Sequence, residues 1–252
     1  MKPRFLYLGQ LFYRKFNFYF SPFYFFVRSS IRIACKLGSF KSVLDIGGGS
    51  SAYRDFAKAQ LVSDLFVTVD ISPESSADII ASAMALPLLS GKFDAVSCFD
   101  VLQHVSDPMI VLSEARRVLR DDGIIILTYP FMYGECDYLD FNRWTEAGIL
   151  AELRKAGFFV IQTKRRGGFI FFLMTVINFA VQNSFRPARK SWRRNLSWAY
   201  FISAFFITFI SIPTYLLMWI ALLFESVLPG ASEIYMGGVV VARKERLPSG
   251  VV

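Results

Sequence analysis

Histidine, cysteine and charged residues are scarce in this chain of 252 residues. There is one histidine, His104, and there are three cysteines, Cys35, Cys98 and Cys136, without a CxxC spacing. A metal site built on several histidines and a disulfide scaffold are therefore excluded, and we expect no metal and reduced, cytosolic-type cysteines. Charged residues make up 19%, against about 25% in an average soluble protein, while hydrophobic residues reach 54%. This composition indicates a protein that contacts a membrane.

The charge is divided unevenly along the chain. Residues 1–41 carry eight Lys and Arg and no acid, residues 42–163 carry nine basic and seventeen acidic residues, and residues 164–252 carry eleven basic and three acidic residues. The acidic middle is typical of a soluble domain. In the basic flanks, continuous Phe, Ile and Leu favour an anionic lipid surface over nucleic acid, which requires spaced stacking side chains. We therefore expect a lipid surface as a partner and no nucleic acid.

The N-terminal flank, residues 1–38, is predicted to be an aromatic and basic segment at the membrane interface. Residues 1–28 hold eight Phe and four Tyr, but their longest uncharged run, residues 16–27, is too short to span a bilayer. Arg14 and Lys15 interrupt the apolar pattern that a secretory signal peptide would require. The alternative is a helix that packs on the following domain.

The second hydrophobic segment, residues 167–232, is predicted to be a helical insert that associates with the membrane. Its uncharged runs, 167–185 and 195–224, are separated by the basic sequence RPARKSWRR. Pro213 divides the longer run into two arms, 196–212 and 214–224, and the second arm is too short to span alone. The positive-inside rule places a short basic loop in the cytoplasm. It therefore favours a monotopic or re-entrant insert, with the core domain on the cytoplasmic side, over two crossings or a soluble dimer interface.

The middle of the chain alternates short apolar runs with amphipathic stretches. The runs that predict strands are residues 41–46, 65–70, 78–81, 93–99, 123–130, 158–163 and, after the insert, 238–243. Helices are predicted over 50–60, from the Asp107-Pro108 cap to about Arg120, and from Thr145 to Ala156, before Gly157. The order predicts an α/β fold, a Rossmann-like, seven-stranded and mostly parallel sheet with helices on both faces. Ligands of such sheets bind at the carboxyl ends of the strands.

The first strand runs into a glycine loop, DIGGGSSA, which permits close approach of the backbone to a ligand. The loop also matches the pattern G-x-G-x-x-G/A of dinucleotide-binding proteins, so a nicotinamide cofactor is an alternative. Asp45 argues against that cofactor, since a carboxylate two residues before the first glycine repels a pyrophosphate but suits a cationic ligand. Asp70 ends the second strand, where a carboxylate can accept both hydroxyls of a ribose.

Four stretches together resemble class I S-adenosylmethionine-dependent methyltransferases of the type-11 group. They are VLDIGGGSS, VTVDIS, ASAMALPLLSGKFDAVSCFDVLQHVSDP and EARRVLRDDGIIILTYP. The resemblance covers about residues 40–166 and 234–244, and it departs at Ser51, where many members have a third glycine. It implies S-adenosylmethionine as cofactor and a methyltransferase core over residues 39–166. It also implies that a last strand in residues 233–252 inserts antiparallel between the fifth and sixth.

The resemblance also implies cofactor-binding positions. They are Asp45, Gly47 and Gly49 for the methionine part, Asp70 for the ribose, Ile71, Ala83 and Met84 for the adenine, and Phe99, through its backbone, for the methionine amino group. For the three adenine positions, an ordinary place in the core is the alternative.

The acceptor side offers several candidates. His104, the sole imidazole, and Asp137 are candidate catalytic bases, and a structural hydrogen bond is the alternative role of His104. The stretch DFNRWT, residues 140–145, resembles a D-Y-x-R-F-T stretch of methyltransferases from surface-glycan pathways. Tyr133, Tyr138 and Arg143 are therefore candidates for substrate binding, and a structured loop over the sheet is the alternative.

These features predict a methyltransferase at the membrane surface that acts on a lipid-linked or small amphipathic acceptor. A lipid-linked saccharide is favoured over an isoprenoid quinone or a phospholipid, and the oligomeric state is left open. Two alternatives remain. An NAD(P)-dependent oxidoreductase would bind NAD(P)H, and a catalytically silent membrane-anchoring module would keep the fold without turnover.

Overall fold

The structure is a computed structural model that describes residues 20, 22–49, 52–61, 63–132, 134–135, 139–184, 212–227 and 233–246. The chain forms two compact units. The core unit consists of Phe26–Arg166 and Met236–Val252, and the second unit consists of Met1–Phe25 and Gly167–Tyr235. The predicted domain bounds, 1–38, 39–166, 167–232 and 233–252, stay predictions.

The core unit is built on seven strands. They are β1 (Ser42–Ile46), β2 (Leu65–Asp70), β3 (Ile79–Ile80), β4 (Phe93–Cys98), β5 (Leu119–Pro130), β6 (Phe158–Arg165) and β7 (Gly237–Lys244). The α-helices within the described residues are α1 (Pro22–Leu37), α2 (Ala52–Gln60), α3 (Pro108–Val118), α4 (Glu146–Lys155), α5 (Phe169–Ser184) and α6 (residues 212–225). The last two belong to the second unit.

The strands form one sheet in the order β3-β2-β1-β4-β5-β7-β6. Neighbours from β3 to β5 are parallel, and β7 is antiparallel to both β5 and β6. β1 is buried along its whole length, as expected for a strand whose two faces are both covered. The predicted α/β class and the antiparallel insertion of the last strand are confirmed. The carboxyl ends of β2, β1 and β4 therefore lie side by side.

Helix ends follow the predicted caps. The carboxylate of Asp107 accepts a hydrogen bond from the N–H of Met109 at 3.0 Å, and the hydroxyl of Thr145 accepts one from the N–H of Gly148 at 3.1 Å. Gly157, with φ +79°, follows α4 as its predicted stop. These local signals are reliable because each is satisfied within one turn of its helix.

The start of β5 differs from the prediction. The strand begins at Leu119, before the turn expected at Asp122-Gly123, and α3 ends at Val118 instead of near Arg120. Asp122 does adopt a left-handed φ of +63°, but this residue lies inside the strand. The pairing of β4 with β5 shifts register between Phe93 and Ala95, so the sheet absorbs the turn as an irregularity in the ladder.

Helix α1 is amphipathic. Phe26, Ile31 and Ala34 are buried, while Arg32 and Lys36 are exposed. From residue 26 onward the helix belongs to the core unit, so this part of the N-terminal segment matches the packed-helix alternative. Residues 1–19 lie outside the described part of the chain, and their place at a membrane interface stays a prediction.

Helices α5 and α6 pair as an antiparallel hairpin. The carboxylate of Glu225 accepts hydrogen bonds from the N–H groups of Gly168 and Phe171, each at 2.8 Å, at the N-terminus of α5. Farther along, the hydroxyl of Thr214 donates to the side-chain oxygen of Asn178 at 2.9 Å. The carboxylate satisfies N–H groups that have no partner within their own helix, and its charge suits the positive end of the helix dipole.

The hairpin buries one face and exposes another that is equally apolar. Its buried side chains include Phe171, Tyr215, Met218 and Ala221. The exposed side chains, which we call the apolar face of the hairpin, are Phe169, Leu173, Val176, Ile177, Ile212, Leu216, Leu217, Ile220, Leu223 and Phe224. On α6 they recur every three or four residues and so form one continuous surface.

Among the helices that the structure describes, none combines the length and apolar composition that a membrane crossing requires. The basic sequence RPARKSWRR and residues 196–211 of the first predicted arm lie outside the described residues, whereas residues 214–224 of the second arm lie within α6.

Candidate cofactor and acceptor site

The loop between β1 and α2 brings its backbone close to neighbouring strands. Gly47 has φ +74°, a conformation that favours glycine, and its N–H donates to the carbonyl of Val69 at 2.7 Å. A Cβ atom on Gly47 would overlap the side chain of Val101, and a Cβ atom on Gly48 would overlap the carboxylate of Asp45. Glycine is therefore required at both positions for steric reasons, and Gly48 is a site residue that the sequence reading did not single out.

Asp45 is a buried carboxylate at the carboxyl end of β1, with 1% of its surface exposed. One oxygen accepts a hydrogen bond from the hydroxyl of Ser97 at 2.6 Å, and the other has no hydrogen-bond partner. Burial raises the pKa of Asp45 to about 7, although the Ser97 hydrogen bond and the charge of Arg54 act in the opposite direction. A buried acceptor of this kind suits a cationic group of a ligand.

Asp70, at the carboxyl end of β2, is fixed by two backbone donors. One oxygen accepts from the N–H of Gly49 at 3.1 Å and the other from the N–H of Ser72 at 2.8 Å. A Cβ atom on Gly49 would lie 2.8 Å from the Cβ atom of Asp70, so glycine is required here as well. An ionised carboxylate has about four lone-pair sites. The carboxylate is thus held beside the glycine loop and retains the capacity to accept the two hydroxyls of a ribose.

The three predicted adenine positions differ in exposure. Ile71, directly after Asp70, is 71% exposed, which argues against an ordinary place in the core. Ala83 and Met84 are half-buried in the segment after β3. The carbonyl of Asp70 accepts from the N–H of Ala81 at 2.9 Å, which ties this segment to the end of β2. An apolar contact for a flat ring is therefore available next to the ribose-binding carboxylate.

Phe99 follows β4, the neighbour of β1 on the side opposite to β2. Its side chain is 7% exposed, and the next residue, Asp100, has φ +51°. Because Ile46 pairs with Cys98 in the sheet, the backbone at Phe99 ends beside the glycine loop. The residues predicted for the methionine part, Asp45, Gly47 and Phe99, thus lie at adjacent strand ends.

His104 lies in a short 3-10 turn, Leu102–His104, on the acceptor side. Its Nδ1 lies 3.1 Å from the carbonyl oxygen of Leu139. A carbonyl only accepts, so Nδ1 carries the proton in this hydrogen bond, and the lone pair of the neutral ring is on Nε2. The structure therefore contains the hydrogen bond of the structural alternative, and the catalytic role of His104 stays a prediction.

Arg143 is held within its own loop. Both of its terminal nitrogens bind the carboxylate of Asp140, one of them at 2.6 Å, and the guanidinium also donates to the carbonyl of Gly134 at 3.0 Å. The carboxylate of Asp140 is fully buried. This bidentate pair favours the structured-loop alternative for Arg143, because its donors are used to hold the loop. Tyr133, Asp137 and Tyr138 lie outside the described residues, and their roles stay predictions.

The loop over residues 139–145 is tied to the ends of β4 and β5. The N–H of Phe141 donates to the carbonyl of Gln103 at 2.7 Å, and the N–H of Trp144 donates to the carbonyl of Pro130 at 3.0 Å. Trp144 is buried, while Leu139 and Phe141 are 42% and 54% exposed. The loop therefore covers the carboxyl edge of the sheet and presents apolar side chains there.

Other site residues were missed from the sequence. One of them is Ser97, the partner of Asp45. It is a polar residue inside the apolar run FDAVSCF, and this position was a signal by which it could have been identified. Arg166, which is 2% exposed and donates to Asp100 at 3.0 Å, gave none, because its partner is far away in the chain. The described residues contain no group of His, Cys, Asp and Glu side chains arranged to hold a metal ion.

Two carboxylates around a glycine loop, on a sheet of this order with an antiparallel last strand, define the class I methyltransferase architecture. Residues 44–127, from β1 to β5, match the model of the methyltransferase domain family. This match spans the strands whose motifs resemble class I S-adenosylmethionine-dependent methyltransferases, so the predicted resemblance is confirmed over this part of the chain.

A protein relative covers the chain only in part. An uncharacterized 37.1 kDa protein from a transposon of Streptomyces fradiae is 33% identical over 104 residues. The match covers 36% of this chain and 30% of that protein. The chain thus spans less than a third of the length of this relative, and the match carries no assignment of an acceptor.

Two solved structures share the fold. The cyclase SpnF is 16% identical, with a TM-score of 0.56, over 87% of this chain and 80% of its own. Phosphoethanolamine N-methyltransferase 2 from Haemonchus contortus, in complex with S-adenosylhomocysteine, is 16% identical, with a TM-score of 0.52, over 86% of this chain and 52% of its own. Since one of the two is a cyclase, the reaction has to be argued from the residues of the site.

Proposed function

We propose that this chain transfers a methyl group from S-adenosylmethionine to an amphipathic acceptor at a lipid surface. The observation that carries the methyltransferase part is the buried carboxylate of Asp45, whose second oxygen has no hydrogen-bond partner, beside a glycine loop and next to Asp70. This pair suits a donor that has a cationic methionine end and a ribose. The family match and the N-methyltransferase with bound S-adenosylhomocysteine support the same donor.

When bound, the donor supplies an activated methyl group on a positively charged sulfur. The residues of this chain position the two reactants for an in-line displacement, and much of the acceleration comes from that positioning. Asp45 and Asp70 hold the two ends of the donor. If the acceptor is a hydroxyl, we expect Nε2 of His104 to take its proton, since Nδ1–H is bound to the carbonyl of Leu139.

The oxidoreductase alternative is disfavoured by the charge of the loop. A dinucleotide places its pyrophosphate against the glycines, and here Asp45 lies against Gly48, within contact distance of a Cβ atom at that position. Burial already disfavours the charged form of Asp45, and a second anion beside it would add repulsion.

The apolar face of the hairpin supports a lipid surface as the place of reaction. A single exposed leucine needs no explanation, but a continuous apolar surface along two helices indicates a partner. The hairpin is inserted in the chain between β6 and β7, so the segment proposed to bind lipid is covalently joined at both ends to the unit proposed to bind the donor. A lipid-linked saccharide is the acceptor that the DFNRWT resemblance favours, and an isoprenoid quinone or a phospholipid would have the same amphipathic character.

Calorimetry on the detergent-purified protein tests the donor. We expect S-adenosylmethionine and S-adenosylhomocysteine to bind and NADH not to bind, and we expect Asp70→Ala to abolish binding of the first two. Asp64→Ala, at an exposed position, is the matched control and should bind as the unaltered protein does. Binding of NADH alone would contradict the proposal, and binding of the donor without turnover on any lipid extract would indicate the silent module.

Substitution of Gly48 by alanine tests the geometry of the loop. The new Cβ atom would displace the carboxylate of Asp45 or the loop itself, so we expect the affinity for S-adenosylhomocysteine to fall at least about tenfold, as for the loss of one hydrogen bond to a charged group. Gly38→Ala is the control, since no atom lies within 4 Å of a Cβ atom there. Equal affinities of the two variants would show that the loop does not contact the ligand.

A further inference from the structure

Arg166 is a buried cation one residue beyond β6. Its N–H donates to the carbonyl of Gly237 at 2.7 Å, and its carbonyl accepts from the N–H of Met236 at 3.0 Å, so the backbone is fixed against the start of β7. Its side chain is 3% exposed, and its guanidinium donates to the carboxylate of Asp100 at 3.0 Å. A buried arginine held in this way has a defined position, because its charge requires its partner.

Asp100 forms the turn after β4 and is held by three separate elements. Its N–H donates to the hydroxyl oxygen of Thr128 at 2.7 Å, and that hydroxyl donates to its carboxylate at 2.8 Å. Gln103 donates its side-chain amide to the carbonyl of Asp100 at 2.9 Å. With Arg166 on the carboxylate, these bonds hold a non-glycine residue in a left-handed conformation, φ +51°, which residues other than glycine rarely adopt.

The same turn forms one wall of the glycine loop. Val101, the residue after Asp100, packs against Gly47 so closely that a Cβ atom on Gly47 would overlap it. Asp70 lies on the opposite side of the loop, at the end of β2, because the strand order is β2-β1-β4. A ligand across these strand ends therefore meets Asp70 at one end and the turn after β4 at the other.

We propose that Arg166 is a positioning residue for the donor, which acts through Asp100 on the turn that receives the amino-acid end of S-adenosylmethionine. The inference rests on the proposed function. It is specific to one half of the ligand, since the adenosine half is expected at Asp70, on the other side of the glycine loop from the turn that Arg166 holds. Loss of the guanidinium leaves the Asp100 carboxylate without its buried counter-charge and frees the turn to leave the left-handed conformation.

Two ligands distinguish binding of the amino-acid half of the donor from binding of its adenosine half. S-adenosylhomocysteine carries the amino-acid end, and 5′-methylthioadenosine is the corresponding thioether without it. For Arg166→Met we expect the affinity for S-adenosylhomocysteine to fall roughly tenfold, within the range for directly coupled groups, and the affinity for methylthioadenosine to change less than about twofold. Arg166→Lys, which keeps the charge and one donor, should restore part of the loss. Arg165→Met is the matched control, because Arg165 pairs with Glu146 at 2.7 Å instead.

The outcomes separate this inference from the function on which it rests. If the unaltered protein does not bind S-adenosylhomocysteine, the proposed function fails. If it binds, and Arg166→Met either leaves both affinities unchanged or lowers them equally, the positioning role is wrong. Thermal melting without ligand shows whether each variant folds. Should Arg166→Met not fold, Thr128→Val removes the β5 hydroxyl that holds the same turn through Asp100, and it should show the same selective loss.

Discussion

Replacing Asp45 with asparagine is expected to weaken binding of S-adenosylmethionine and to stabilise the ligand-free protein above pH 7. The affinity should fall roughly 10- to 100-fold, the loss expected for one hydrogen bond to a charged group. Asparagine keeps an oxygen to accept from Ser97, which donates to Asp45 at 2.6 Å, but it removes the buried negative charge. The affinity is measured by calorimetry and the stability by chemical denaturation.

The sign of the pH effect follows from the pKa of Asp45. Burial raises this pKa from 3.8 to about 7, so the folded state binds a proton more tightly than the unfolded state does. The contribution of Asp45 to the free energy of unfolding is therefore fully present below about pH 4, and it is lost as the pH rises through 7. With the pKa raised from 3.8 to about 7, the free energy of unfolding should be roughly 4 kcal/mol lower at pH 8 than at pH 4 from this group alone. Asp45→Asn should remove this dependence.

Binding of the donor has the opposite dependence on pH. The ionised carboxylate is the form that suits a cationic ligand, so the affinity of the unaltered protein should fall toward tenfold per unit below pH 7. Asp64→Asn, at an exposed position, is the control and should leave both dependences in place. An affinity that is flat between pH 5 and pH 8 would show that Asp45 does not contact the charge of the ligand.

The parts of the fold that were predicted are those set by local sequence. The apolar runs of β1, β2 and β4 each end at a glycine, an acid or a turn, and Asp107 and Thr145 cap their helices within one turn of the chain. The start of β5 was placed too late because pairing with β4 across a register shift extends the strand through Asp122, and a single sequence does not show such pairing.

The site was predictable to the same extent. Asp45, Asp70 and the glycines are adjacent in the sequence to strand ends, so the order of the motifs was enough to locate them at the edge of the sheet. Arg143 was assigned to the acceptor because DFNRWT resembles a stretch of methyltransferases from surface-glycan pathways, whereas the structure pairs it with Asp140 three residues away. Arg166 could not be assigned at all, because its contact with Asp100 depends on the antiparallel insertion of β7 between β5 and β6.

The N-terminal helix shows the limit of composition as a signal. Residues 1–38 are basic throughout and aromatic up to residue 26, which suggests a lipid contact for the whole segment. The periodicity of α1 distinguishes its last part, since Ile31 and Ala34 lie on the buried face and Arg32 and Lys36 on the exposed one. A period of three to four residues was therefore the better guide to packing than the composition of the segment.

Serine substitutions at Leu216, Leu223 and Phe224 are expected to release the protein from lipid vesicles. These side chains are 61%, 70% and 60% exposed on α6, so their loss should not disturb the buried side of the hairpin. Transfer of one such side chain out of water contributes about 1.5–3 kcal/mol when complete. Even at half that value, three of them correspond to roughly a 50-fold or greater loss of partitioning. Co-sedimentation with vesicles of phosphatidylcholine and phosphatidylglycerol measures this loss.

A matched triple substitution in the core unit controls for general loss of apolar surface. Leu89, Ile110 and Phe159 are 72%, 43% and 62% exposed, and their replacement by serine should leave vesicle binding unchanged. In both triple variants the affinity for S-adenosylhomocysteine should be retained, because Asp45, Asp70 and the glycine loop belong to the core unit. If the α6 variant sediments as before, the anchor lies elsewhere in the chain. If it loses self-association instead of lipid binding, the apolar face is an interface between two copies, and the acceptor need not come from a membrane.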